Sequence, residues 1–276
     1  QTYQHNREQV TGFSIELAQK KLKLVASSLQ SEFREGETLA KLYARAPQLS
    51  GLEYQQFMPF LKAEITQLKP KYEKFIVGLP SGHFYNTSGA NLLQGGIRTF
   101  DDRSPDSKPK SIHSRDYWQA TINAQELPHS NADVSKSDAS NTYVSNPMIS
   151  FTTGVKQVVV ASPVLSEGKE IVGMIGLSLP WQYVHDLMQT LVQENFSSLG
   201  SSAKLMLVSD DGTYWYHWDE GKVIQLVKDQ TGRYLLDENG EKRVSKFSIL
   251  IESNEQLSAI GKRMTQGKSG LGQFTF

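Results

Sequence analysis

Residues 155–179 read V-K-Q-V-V-V-A-S-P-V-L-S-E-G-K-E-I-V-G-M-I-G-L-S-L. Two apolar runs rich in Val and Ile flank the polar stretch S-E-G-K-E. That pattern predicts two antiparallel strands joined by a tight turn. Working outward, S-L-P-W-Q-Y-V-H-D-L-M-Q-T-L-V follows directly. Pro180 suits a first helical turn, and Val184, Leu187, Met188 and Leu191 share one face, so a helix is expected there. On the other side, K-F-I-V-G-L-P-S-G-H-F-Y at 74–85 reads as strand, turn and strand. Residues 204–216, K-L-M-L-V-S-D-D-G-T-Y-W-Y, repeat it: both open on Lys, run through a short apolar strand, reach Gly at the same offset and restart with aromatics. A helix precedes each copy, so two related α/β modules in tandem are expected.

The first 45 residues are different in kind. From about Val10 to Tyr43 the apolar residues Ile15, Leu22 and Leu29 fall at heptad spacing, with Ala18 and Val25 between them and Phe33, Leu39 and Leu42 beyond. One long spine helix fits this period, and so do two ordinary helices meeting near Gly36. A second helix is expected from Tyr54 to Leu68, ended by Pro70. Residues 86–111 are rich in Gly, Asn, Asp, Ser and Pro and read as a long loop. A short helix starts near Ser114. In the second half, strands near 205–209 and 213–217, a helix over 255–263 and a last strand G-L-G-Q-F-T-F complete a smaller module that lacks its final strands. The resulting fold class is α+β: a spine helix (1–45), a larger module (46–190) and a smaller one (191–276).

Composition excludes several functions. Lys plus Arg equals Asp plus Glu at 29 each, so the net charge is zero and nucleic acid is not an expected partner. The chain has no cysteine, which removes disulfides, cysteine metal sites and thiol nucleophiles. The histidines are scattered without metal-ligand spacing, and no phosphate loop, nucleophile elbow or H-E-x-x-H is present. No cofactor and no enzymatic activity are expected. No apolar run reaches the roughly 20 residues that span a bilayer. The chain opens on Q-T-Y-Q-H and closes on Q-F-T-F, which reads as an excised piece with membrane spans outside both ends.

The stretch S-I-H-S-R-D-Y-W-Q-A at 111–120 concentrates costly side chains. Arg115 can grip an anion with paired donors, and Tyr117 and Trp118 can wall it in. The same residues also fit a helix start, with Arg115 and Asp116 as a surface ion pair and the two aromatics as core.

Four segments, G-G-I-R-T-F-D-D-R, S-R-D-Y-W-Q-A, the strand pair of 155–179 and K-L-M-L-V-S-D-D-G-T-Y, resemble in order and spacing the double-Cache (tandem PAS-like) sensor domains of bacterial transmembrane receptors. The resemblance implies a periplasmic or other extracytoplasmic domain between two membrane helices, with ligand in the larger, membrane-distal module. It implies a cytoplasmic output, a histidine kinase foremost, a chemotaxis or cyclic-di-nucleotide output otherwise. By the same resemblance Arg115, Tyr117 and Trp118 hold a ligand carboxylate and Tyr143 faces the same pocket. Amino-acid-binding members carry acids where this chain has Ser145 and Ser178. An α-amino acid is therefore not the expected ligand, although Asp116 offers one acid nearby, and a small carboxylate or other anion is favoured. The spine helix is the expected homodimer contact. A purely structural dimerisation module without ligand is the reading of a different class.

Overall fold

The structure is a computed structural model that describes residues 2–88, 92–93, 96–97, 111–122, 142–151, 153–197, 204–236 and 242–268. Most of the expected 86–111 loop, the polar stretch 128–141 and the last strand at 270–276 lie outside the described residues. The chain forms two compact units, one of Gln30–Tyr183 and one of Gln1–Leu29 with Val184–Phe276. The sequence reading placed its divisions at 45 and 190. The long first helix, α1 (Thr2–Ala44), contributes to both units, as does α4 (Trp181–Phe196).

Within Gln30–Tyr183 the centre is a six-stranded antiparallel sheet. Its strands are β1 (Lys74–Gly78), β2 (Phe84–Asn86), β5 (Tyr143–Val144), β6 (Met148–Ile149), β7 (Lys156–Leu165) and β8 (Ile171–Pro180). The order is β2-β1-β8-β7-β5, with β6 also on β7. A short pair, β3 (Leu92–Leu93) with β4 (Gly96–Ile97), stands apart from it. The sheet is covered on both faces, which is why β7 and β8 read as unbroken apolar runs. Phe75 and Val160 face α1 and its neighbours: Tyr43 meets Phe75 edge-on at 4.7 Å. The α2 helix (Tyr54–Leu68) buries Phe57, Leu61 and Ile65, one residue per turn.

Gly36 does not break α1. A Cβ there would lie 3.2 Å from both Tyr72 Oη and Val160 Cγ2, so the glycine lets the helix lie close on the sheet. The buried positions of α1 run Val25, Leu29, Gly36, Ala40, Tyr43 and Ala44, which is one helical face. Leu22 and Leu42, placed on the apolar stripe by heptad counting, are 43% and 63% exposed. An uncoiled helix drifts off a strict seven-residue repeat. Lys71 clamps this face of α1 by reaching Glu32 and Glu35 at 2.7 and 2.8 Å. Its hydrogen bond holds the Glu32 carboxyl below the usual range.

Gly173 on β8 is a tighter spot. A Cβ would stand 2.6 Å from the Gly78 carbonyl oxygen on β1 and 2.5 Å from Leu52 Cδ1. Backbone cannot step aside as a side chain can. Gly173→Ala is expected to cost about 1–3 kcal/mol, seen as a lower denaturant midpoint at unchanged slope.

The other unit carries β9 (Leu207–Val208) paired with β10 (Tyr214–Tyr216), β11 (Gln225–Leu226) paired with β12 (Val244–Ser245), and α5 (Glu255–Thr265). Val25 and Leu29 pack with Met188, Leu191, Phe196 and Tyr216. Tyr214, Ile249 and Leu257 form a second small core. Among the described residues no helix is long and apolar enough to cross a membrane.

Candidate functional site

Strand alternation builds the site. In β1, Lys74, Ile76 and Gly78 point to one side, and the register sets Asn86 and Phe84 beside Ile76 and Gly78. On the other flank come Ser178, Gly176 and Met174, then Val159 and Ala161 on β7. Gln157 belongs to the same face, two residues from Val159, and Met148 lies opposite it. Across this face lies α3 (Asp116–Ile122), which buries Tyr117 and Trp118 against Ile76, Phe84, Val159 and Met174. At one margin a small cleft stays open to solvent. The sheet supplies Lys74, Ile76, Phe84, Asn86 and Gln157 to its wall. Ile112 and Arg115 come from the turn before α3, Tyr117 from its first turn, and Met148, Ile149, Ser150 and Phe151 from β6 and the turn after it.

Arg115 caps α3: its carbonyl accepts from the N–H groups of Trp118 and Gln119 at 3.1 and 3.0 Å. The cap therefore lies one residue past Ser114, the expected cap. The Arg115 guanidinium lies 3.7 Å over the Phe151 ring and donates from Nη2 to the Ile149 carbonyl at 3.2 Å. No described acid pairs with it. Asp116 is engaged elsewhere: Oδ1 accepts from the Tyr117 N–H at 2.8 Å, and Oδ2 from the Asn146 N–H at 2.8 Å and Tyr143 Oη at 3.4 Å. The surface ion pair that the sequence left open is not formed. A guanidinium has five N–H donors. Among the described residues this one is half-buried with one acceptor and no counter-charge.

Of the seven residues expected at the site, Arg115 and Tyr117 line the cavity. The other five hold its frame. Trp118 is 2% exposed and donates from Nε1 to the Leu79 carbonyl at 3.0 Å, with its ring against His113. Adjacent residues on a helix point about 100° apart, so Tyr117 reaches the cavity and Trp118 the core. Asp116 and Tyr143 tie the start of α3 to the 143–146 segment. Ser145 Oγ accepts from the Val159 N–H at 2.8 Å and donates to the Asn146 carbonyl at 3.0 Å, which locks that segment to β7. Ser178 Oγ donates to Gln157 Oε1 at 2.7 Å and so orients a residue that does line the cavity.

Lys74, Asn86 and Gln157 were missed in the sequence. Lys74 is 1% exposed, and Nζ donates to Glu73 Oε2 at 2.9 Å, Ser150 Oγ at 2.9 Å and Thr153 Oγ1 at 3.4 Å. Burial pushes its ammonium below the usual lysine range, and the Glu73 charge draws it back. The available signal was a lysine opening an otherwise apolar strand directly after an acid. Among the described residues no group of three or more His, Asp or Glu is placed to hold a metal ion.

The repeat seen in the sequence is also a repeat of hydrogen bonds. Gly82 (φ +79°) and Gly212 (φ +84°) close equivalent turns: Gly82 N–H to Leu79 O and Leu79 N–H to His83 O, Gly212 N–H to Ser209 O and Ser209 N–H to Thr213 O. Ile112 N–H then donates to Gly82 O, and Ile249 N–H to Gly212 O, at 2.8 and 3.0 Å. Three residues past Ile112 stands Arg115. Three past Ile249 stands Glu252, which accepts from Tyr214 Oη at 2.8 Å and Lys222 Nζ at 2.6 Å. Where the first module has a cation without a counter-ion among the described residues, the second has a paired acid. Burial works against the Glu252 carboxylate, yet the Lys222 and Tyr214 bonds outweigh it and hold the group below its ordinary 4.5. A lowered folded value stabilises above pH 4.5 and loses that contribution as pH falls through it. Wild type is expected to exceed Glu252→Gln in stability by about 1 kcal/mol near neutrality. The difference should shrink below pH 4.5, read as melting temperature against pH.

No protein-family model matches the chain, and no curated relative matches it. Solved structures do. The ligand-binding domain of the Pseudomonas aeruginosa PAO1 amino acid chemoreceptor PctB, in complex with L-Arg, superposes with a TM-score of 0.52 at 16% identity. The match covers 74% of this chain and 66% of that one. The ligand-binding domain of the Pseudomonas fluorescens chemoreceptor CtaA, in complex with L-isoleucine, gives 0.50 at 15% identity over 80% and 79% of the two chains. The chain shares the Cache-type α+β fold of these domains. Both neighbours are ligand-binding domains. At such identities the likeness carries the architecture, and the chemistry has to be read from the side chains.

Proposed function

We propose that this chain is the extracytoplasmic sensor part of a transmembrane receptor and binds a small carboxylate or other anion in the cavity beside α3. The observation that carries this reading is Arg115: a half-buried cation in a cavity wall, stacked on Phe151, with no acid partner among the described residues. Arg115 takes the negative end and Tyr117 walls the ligand. Trp118, Tyr143, Asp116, Ser145 and Ser178 position them. The unit of Gln30–Tyr183 is the membrane-distal, ligand-binding module, and the remainder is membrane-proximal. Membrane helices flank the chain in the full receptor. Leu22 and Leu24 of α1, 43% and 60% exposed, are the apolar surface of a homodimer contact there. Because β8 runs without a break into α4, a shift of β8 on ligand closure passes along the chain toward the output. The ligand biases the receptor by its affinity difference between two states.

The output in this reading is a histidine kinase. A chemotaxis receptor is the second reading, favoured because the solved neighbours are chemoreceptor domains. The binding proposal is tested by a thermal-shift screen against carboxylates, amino acids and inorganic anions. A ligand at 100 times its Kd stabilises by about 2.7 kcal/mol. Stabilisation by a carboxylate is the expected result, and a screen without any shift overturns the proposal.

A further inference from the structure

The cavity offers a ligand donors and apolar walls, with one net charge. Asn86 is 4% exposed, and its Oδ1 is held by the Ser88 N–H at 3.0 Å and Ser88 Oγ at 2.7 Å. Gln157 is 3% exposed, and its Oε1 is held by Ser178 Oγ. In both amides the oxygen is spent inside the protein. The amide NH₂ groups have no partner among the described residues, and both side chains line the cavity. Arg115 adds its remaining N–H groups. Lys74 adds no further charge, because its three donors are taken by Glu73, Ser150 and Thr153 and the Glu73 carboxylate neutralises it. The rest of the wall includes Ile76, Phe84, Met148, Ile149 and Phe151.

We infer that the ligand is an aliphatic monocarboxylate without an ammonium group. This rests on the anion-binding reading above and narrows it. One carboxylate satisfies Arg115 and accepts from the Asn86 and Gln157 amides. Among the described residues the wall holds no acid for an α-ammonium and its two amide oxygens are already engaged, and a second carboxylate would find no second unpaired cation there. The alkyl body packs on the apolar wall.

Calorimetric titration of the wild-type chain with acetate, propionate, butyrate, L-2-aminobutyrate and succinate tests this. Affinity is expected to rise about fourfold per methylene from acetate to butyrate. L-2-aminobutyrate, which differs from butyrate by the ammonium alone, and succinate should each bind at least about tenfold more weakly than butyrate. If L-2-aminobutyrate or succinate binds as tightly as butyrate, the inference is overturned while the anion site stands. If none binds and the thermal screen is silent too, both fall.

Discussion

Arg115→Ala is expected to abolish stabilisation by a carboxylate while leaving the unliganded protein almost as stable as wild type. A guanidinium and a carboxylate form two charge-assisted hydrogen bonds, and losing such a pair costs about 2–4 kcal/mol, or roughly 30- to 1,000-fold in affinity. The stability side is small for a structural reason. Among the described residues Arg115 makes one hydrogen bond of 3.2 Å and one ring contact, and its half-buried charge has no counter-ion. Removing it loses the contacts and also relieves the desolvated charge, so the melting temperature should move by no more than a few degrees. Arg115→Lys keeps the charge and gives up the planar fork, so intermediate affinity is expected. Thermal shift with and without ligand on the three proteins reads both effects. A large drop in the unliganded melting temperature would instead mark Arg115 as a structural cation.

Trp118→Ala should behave in the opposite way. This ring is 2% exposed, belongs to the core between α3 and the sheet, and gives the Leu79 carbonyl at the β1–β2 turn a second hydrogen bond. Truncation is expected to cost about 3–5 kcal/mol through the cavity, while the Leu79 carbonyl keeps its bond from the Gly82 N–H. Trp118→Phe keeps most of the packing and removes one of the two hydrogen bonds to the Leu79 carbonyl, so about 0.5–1.5 kcal/mol is expected. Denaturant unfolding measures both. The protein that remains folded should bind carboxylate within a few-fold of wild type. Unchanged stability with lost binding would return Trp118 to the ligand's wall, where the family resemblance placed it.

These two neighbours show what a sequence can and cannot disclose. S-R-D-Y-W was legible as a candidate site because a guanidinium beside rings is expensive to leave unpartnered. Which ring would reach the cavity depended on the azimuth of a helix of two turns, and the boundary moved by one residue. The hairpin of 155–179, the helix after it and the paired Gly82 and Gly212 turns were legible because each rests on local periodicity or on a glycine at positive φ. Gly36 read as a breaker because its reason is a close approach to Tyr72 and Val160, far along the chain. Lys74, Asn86 and Gln157 were hidden for the same kind of reason. They become neighbours only through the β2-β1-β8-β7 strand order, which no local pattern encodes. Ser145 and Ser178 sit at positions taken from the resemblance, and their hydroxyls serve β7 and Gln157.

The most direct test is a crystal structure of the chain grown with butyrate. The expected result is a carboxylate within about 3.2 Å of the Arg115 guanidinium, accepting from the Asn86 and Gln157 amides, with the alkyl chain against Ile76 and Phe151. Butyrate bound elsewhere, with Arg115 turned to a protein carboxylate, would contradict the proposed site.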